Sequence, residues 1–420
     1  MIQEESLCLY KKGVVAWNAW ANNMLAKKSK LEENGSWQID DVRESGINHA
    51  TNDWKSEAKV NFNSHTFKEN VNFSGFIFPD EAQFVEAKFR NDANFENATF
   101  RGNVLFNRAQ FCANAWLKRA EFRNNAVFDR TEFSGYARFL GAIFSGDVLF
   151  DQILFKGFAD FSYTIFEKKI SFIAIQAYGF FSFKKAEFHL VPDFNQAHFI
   201  EAPQLDDSDF SRAIKYKQGN DINDVNNISS KWRSLKRLAI QGHDHERELF
   251  FFAEEIKSQR GVQHKALPCP LNYLNNKPVW QGGTRYWFGL FYQWFSDFGR
   301  SVIRPLFWLL FLGVLFYIFY MKYPIENKST QDNPITQETI SCERSEAAIY
   351  LSAQSALPFL SAAGYSENIK RNYACLYGKN SDGKENIPNV AIFFNIAQLM
   401  LSTILIFLSL LALRNHFRIK

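Results

Sequence analysis

The sequence predicts a β-solenoid, followed by a helical cap and linker and a two-helix transmembrane hairpin. Three observations carry this. Phe recurs at alternating steps of five and six from Phe62 to Phe199, a polar stretch after Asp206 gives way to a helical apolar pattern, and two uncharged apolar runs close the chain. Composition agrees: 45 of 420 residues are Phe, against 4 Met and 11 Pro, and such an excess of one type points to a repeat. Five Cys exclude a disulfide-dense scaffold. A formal charge of +4 is too small for a strong nucleic-acid binder. A mean hydropathy of −0.26 excludes a polytopic transporter.

The expected division follows from these signals. Residues 1–56 form a lead-in and cap, 57–206 the solenoid, and 207–283 a polar loop with capping helix and linker. An amphipathic interfacial helix is expected over 284–300 and a first transmembrane helix over 301–323. An extracytoplasmic loop follows over 324–389, with a short re-entrant or surface helix at 347–363. A second transmembrane helix takes 390–413, and a basic cytoplasmic tail takes 414–420. The N-terminus, MIQEESLCLYKKG, has early acids and no apolar run, so it is not read as a secretory signal.

The Phe spacing fits neither a helix of period 3.6 nor a plain strand of period 2. It fits a coil whose short sides each turn a corner, with one large and one small side chain per side pointing inward. The large set includes Phe62, Phe67, Phe73, Phe84, Phe95, Phe106, Phe128, Phe139, Phe150 and Phe161. Leu117 and Ala177 replace Phe at two marks, and the series ends at Leu205. Small or β-branched residues such as Ala82, Ala93, Val104 and Ala126 stand two positions before the marks. Four sides per coil give a rod of roughly 32 Å at ~4.8 Å per stacked strand. The extra residue on every second side predicts a bulge at alternate corners.

Strings such as AQFVEAKFRNDANFENATF resemble the pentapeptide repeat family in its Phe-centred variant. That resemblance implies a right-handed quadrilateral β-helix. KKGVVAWNAWANN and WRSLKRLAIQGHDHERELFFFAEEIKSQR resemble segments that flank such repeats in membrane-attached members. Some members mimic DNA and modulate type II topoisomerases. Mimicry needs a sustained negative surface. Between Glu57 and Asp206 stand 16 Lys and Arg against 18 Asp and Glu, so this role is a minor alternative and no nucleic-acid partner is expected.

A helix capped by Ser229 or Ser230 is expected to run to about Arg260, with a break near Gly242, and to cover the solenoid's C-terminal edge. It carries His243, Asp244, His245, Glu246 and Glu248. From His245 the run reads H-E-R-E-L, so Leu249 stands where a zincin needs its second His. The sequence has no P-loop, nucleophile elbow or C-x-x-C. No catalytic residue, metal or cofactor is expected, and the chain is read as a non-enzyme.

The run Pro305–Met321 is at the short end for a span, and Val390–Leu413 is ample. Before the first, Trp287, Phe291, Trp294, Phe295 and Phe298 share one helical face. Arg300, Arg304, Arg414, Arg418 and Lys420 flank the spans on one side. The positive-inside rule then places the solenoid and both termini in the cytoplasm of a bacterium, on its inner membrane. Lys322, Arg371, Lys379 and Lys384 in the loop weaken that bias. Cys342 and Cys375 both fall in the loop and form a candidate disulfide. Gly364-Tyr365-Ser366 faintly resembles a potassium-channel filter, but Ala362, Ala363 and Ser366 depart from it. On the second span Asn395, Gln398, Ser402 and Ser409 form a polar stripe, for helix packing or pore lining. Two functions stay open. One is a membrane-anchored scaffold presenting a rigid rod to an unknown protein partner. The other is a homo-oligomeric, ion-channel-like conduit in the lipid bilayer.

Overall fold

The computed structural model describes residues 1–37, 49–215, 222–266, 283–322, 343–357, 366–378 and 387–418. The chain divides into two units, Met1–Ala266 and Leu267–Lys420. The first opens with helices α1 (Gln3–Lys11), α2 (Gly13–Glu33) and α3 (His49–Ala58). Two-residue strands follow, from β1 (Val60–Asn61) to β25 (His198–Phe199). Each pairs in parallel with the strand 22 residues before or after it, as in Val60↔Ala82, Phe67↔Phe89, Val71↔Ala93 and Phe78↔Phe100. Four sheets of six, seven, six and six strands form the four walls of a β-solenoid of about six turns.

The register follows from the spacing: two steps of five and two of six make one coil. Phe62, Phe73, Phe84, Phe95, Phe106, Phe128, Phe139, Phe150 and Phe161 are fully buried, and Phe67 nearly so. Rings stack up each wall: Phe84 on Phe106 at 4.7 Å, Phe106 on Phe128 at 5.0 Å, Phe128 on Phe150 at 4.8 Å. Rings from adjacent walls meet edge to face, as Phe128 and Phe139 do at 5.7 Å. Stacked and edge-to-face pairs are both favoured by the ring quadrupole.

The two kinds of corner differ. The five-residue steps contain tight turns. Ser64 and Glu86 have φ of 53° and 59°, and this left-handed position recurs every eleventh residue to Asp207. The turn is closed by His65 N–H donating to Phe62 O at 3.2 Å, or Ala87 N–H to Phe84 O at 3.1 Å. A positive φ at the third residue is the mark of a type II turn. The six-residue steps keep a wider corner, where Asn70, Asp92 and Asn114 each accept a backbone N–H from the next coil.

The ladder also runs one mark beyond Leu205. Phe210 stacks on Phe188 at 5.0 Å, and Glu187 bridges Asp209. At the broken mark, Ala177 leaves space that Phe181 fills, lying 5.2 Å from Phe155 and 5.3 Å from Phe199.

Both rod ends are covered. At the start, Trp17 Nε1 donates to Ile77 O at 2.8 Å. Asn18 donates to Gly75 O at 2.9 Å and accepts from Ile77 N at 2.9 Å, as a neighbouring strand would. At the far end, α5 (Ile222–Gln241) and α6 (His245–Ala266) pack together, and Trp232, Leu235, Leu238 and Phe251 join the solenoid core. Gln241 Nε2 donates to Phe199 O at 2.9 Å. The helix break falls at Gly242, as the sequence reading has it, but α5 starts at Ile222 rather than at Ser229.

The second unit holds α7 (Gly283–Ser296), α8 (Ile303–Lys322), α9 (Arg344–Ala356), α10 (Ser366–Tyr377) and α11 (Asn389–Arg418). Among the described residues, α8 and α11 are long and apolar enough to cross a membrane. Leu310, Val314 and Ile318 on α8, and Phe393, Met400 and Phe407 on α11, are exposed. Asn415 Nδ2 donates to Gly299 O at 3.2 Å, which places the end of α11 beside the start of α8. Arg414 and Arg418 are helical and continue α11.

Candidate functional site

Among the described residues of the second unit, a polar cluster lies where α9 packs between α8 and α11. Its core is Phe316, Tyr320, Ala347, Ala348, Leu351, Tyr373, Tyr377 and Ala391. Alanines at the first turns of α9 let it approach closely, as small residues do between apolar helices. Through this packing run the polar groups of α11. Gln398 is fully buried, and its Nε2 donates to Ser352 O at 2.8 Å. Ser352 Oγ donates to Gly313 O at 2.6 Å, at the middle of α8. Ser355 Oγ donates to Asn395 Oδ1 at 2.7 Å, and Asn395 Nδ2 donates to the Tyr373 hydroxyl. Ser402 is fully buried one turn beyond Gln398, while Ser409 Oγ turns back to Leu405 O at 2.9 Å. The arrangement is a polar seam joining four helices of one chain. Burial raises both phenols of α10 above their ordinary range, Tyr377 to about 12, so both stay protonated at neutral pH.

The structure thus brings Asn395, Gln398 and Ser402 to one seam. The sequence reading missed their partners Ser352, Ser355 and Tyr373. The signal was present: two Ser three residues apart in a run without charge, a spacing that shares a helix face. Cys375 on α10 is disulfide-bonded, while Cys342 lies outside the described residues. So do Gly364 and Tyr365. The aromatic face of α7 needs one correction. Trp287, Phe291 and Trp294 are exposed, but Phe298 lies past the helix end, in a left-handed turn, fully buried against Tyr292. The helix stops at Ser296, where Asp297 turns to pair with Arg300 at 3.1 Å. In the first unit the His/Asp/Glu cluster forms a helix start. Asp244 Oδ1 accepts from Arg247 N at 3.0 Å, and His245 pairs with Glu248 at 3.1 Å.

Residues 73–117 and 106–154 match the family model for pentapeptide repeats, described as nine copies. The rod is a pentapeptide-repeat solenoid. No curated protein and no solved structure matches the chain. The pentapeptide-repeat match lies inside the rod, and the same 22-residue register runs on past it, with His198 paired to Gln176. The outer faces of this pentapeptide-repeat rod mix both signs of charge. Arg108 meets Glu86 at 3.3 Å, Arg123 meets Glu121 at 3.0 Å, and Lys156 meets Glu132 at 2.6 Å. Such pairs cancel the long-range field that a phosphate-seeking partner would follow.

Proposed function

We propose that the chain is a membrane-anchored scaffold: α8 and α11 hold it in a bilayer, and the solenoid presents its side walls to a protein partner. The observation that carries this reading is the covering of both rod ends by the chain's own helices. End-to-end stacking of rods is thereby blocked, and the lateral walls are what remains for a partner. The exposed apolar flanks of α8 and α11 support the anchor, since lipid is the solvent that suits them. The location proposed is the inner membrane of a bacterium, with the rod and both termini cytoplasmic. Cys342 is proposed as the partner of Cys375 in the loop on the other side.

The depth of α9 favours a second reading. If α8 spans, Ser352 bonds to a carbonyl at mid-bilayer, so α9 is re-entrant, as helices that line pores are. Copies arranged around an axis would then make a conduit. Replacing Asn395, Gln398 and Ser402 together with Leu separates the readings. Under the scaffold reading the variant inserts and still binds its partner through the rod, and the parent protein carries no ion flux in reconstituted bilayers. Voltage- or tension-dependent flux in the parent, abolished in the triple variant, would replace the scaffold by the conduit.

A further inference from the structure

In three successive coils the same corner reads Gly135-Tyr136, Gly157-Phe158 and Gly179-Phe180. In the coils before, the second position holds Asn70, Asp92 and Asn114, each bonded to the backbone one coil on at 3.2, 3.0 and 3.0 Å. At Tyr136 this polar ladder stops and rings replace it. Tyr136 meets Phe158 edge to face at 6.0 Å, and Phe158 stacks on Phe180 at 5.3 Å. The stack is on the outside: Tyr136 is 52% exposed and Phe180 40%, and beside them Tyr178 is 50% and Ile200 55% exposed. The neighbouring column carries no side chains. A Cβ on Gly157 would sit 2.3 Å from Gly135 O, and one on Gly179 would sit 2.5 Å from Gly157 O. The rings therefore stand clear of a bare backbone edge. The core does not need them, since Asn and Asp serve at the same corner upstream.

We propose that this aromatic corner seats on the headgroup surface of the membrane that holds the C-terminal helices. The inference rests on the anchoring proposed above. The exposed patch amounts to roughly 500 Å², short of the ~800 Å² per partner of a stable protein complex, which argues against a second copy or a folded partner as its occupant. A lipid surface needs less, because the chain is already tethered to it. The residues between Ala266 and Gly283 reach at most roughly 60 Å when extended, so the bilayer is always present at high effective concentration. Tyr and Phe are side chains that settle at the headgroup level. Charge is balanced around the column, with Arg138 and Lys156 against Glu132 and Asp160. The contact is therefore made by rings rather than by electrostatic attraction, and zwitterionic lipid suffices.

The test uses the full chain in phosphatidylcholine vesicles, with benzoylphenylalanine placed singly at Phe158, at Tyr178, or at the exposed Asn124 on the diagonally opposite corner. On irradiation, position 158 should gain the mass of one phospholipid in several-fold higher yield than position 124. Equal yields at 158 and 124, nil included, overturn the proposal, and so does an adduct to a second copy at 158. A variant with Tyr136→Asn, Phe158→Asn and Phe180→Asn restores the upstream corner. It should keep its unfolding temperature yet lose the lipid adduct at 178, and an undiminished adduct there also overturns the proposal. Release of the parent chain by alkaline carbonate would strike at the anchor itself, whereas a retained chain without the adduct strikes at the corner alone.

Discussion

At the residue scale, one large and one small side chain per wall must sum to a constant volume, and Ala177 and Phe181 make this visible. Ala177 stands where Phe is due, and Phe181 stands in a column otherwise held by Ala137 and Ala159. Each departure alone would leave a void or a clash; together they keep the interior filled. Phe181→Ala should cost about 3–5 kcal/mol through its cavity. Ala177→Phe should cost roughly 1–3 kcal/mol through crowding against Phe181. The double variant should recover most of the loss, because it restores the regular ladder. Thermal unfolding of the detergent-solubilised chain measures all three. Additive losses in the double variant would mean that the two sites do not share one space.

At the element scale, the caps decide whether the rod ends are stable. A two-residue strand has almost no hold of its own and is kept by the coils on either side. The first coil has only one neighbouring coil, and α2 supplies what is missing. Trp17 fills the open mouth above Phe62 and Phe78, with ring contacts at 6.3 and 5.4 Å. Trp17→Ala should cost about 3–5 kcal/mol and loosen the first coil before the rest. Hydrogen exchange should then speed up at Phe62 and Ser64 more than at Phe128 and Arg130. Uniform acceleration would show that the rod unfolds as one body and that the cap has no local role. In the second unit, the seam has the same logic in apolar surroundings. Its hydrogen bonds are worth only about 0.6–2 kcal/mol each, but an unmatched amide has no water to turn to.

At the scale of the whole molecule, the proposed topology makes a definite expectation. A Cys introduced at Lys379 should react with an impermeant thiol reagent in intact cells, and one at Arg418 should not. The reverse pattern would put the rod outside. Cys375 belongs to the same side as Lys379 under this topology, where an oxidising compartment would maintain its disulfide. Cys342→Ser should therefore free the Cys375 thiol for labelling. If Cys375 stays blocked, its partner is another residue and the proposed pairing falls.

Much of this molecule was legible in advance, for a physical reason. A solenoid repeats one local environment, so each Phe mark reports the same inward position and the 22-residue register follows from adding the steps. The two apolar helices were equally legible, because length and composition alone suit them to lipid. The corners were not. Five and six residues can turn in several ways, and the left-handed turn of the shorter step is held by hydrogen bonds both within a coil, as His65 N–H to Phe62 O, and between coils, as Ser64 N–H to Val85 O. The end of the ladder was missed because Phe210 sits in a polar stretch that reads as loop until Phe188 and Phe251 are placed around it. The polar stripe of α11 stood out in the sequence, since Asn395 and Gln398 interrupt an apolar run. Its partners Ser352, Ser355 and Tyr373 lie 22 to 46 positions away, on helices whose packing no periodicity specifies. Repetition and hydropathy are local properties, and the chain alone determines them. Which polar group meets which across a helix interface depends on how the helices pack, and only the tertiary structure decided that.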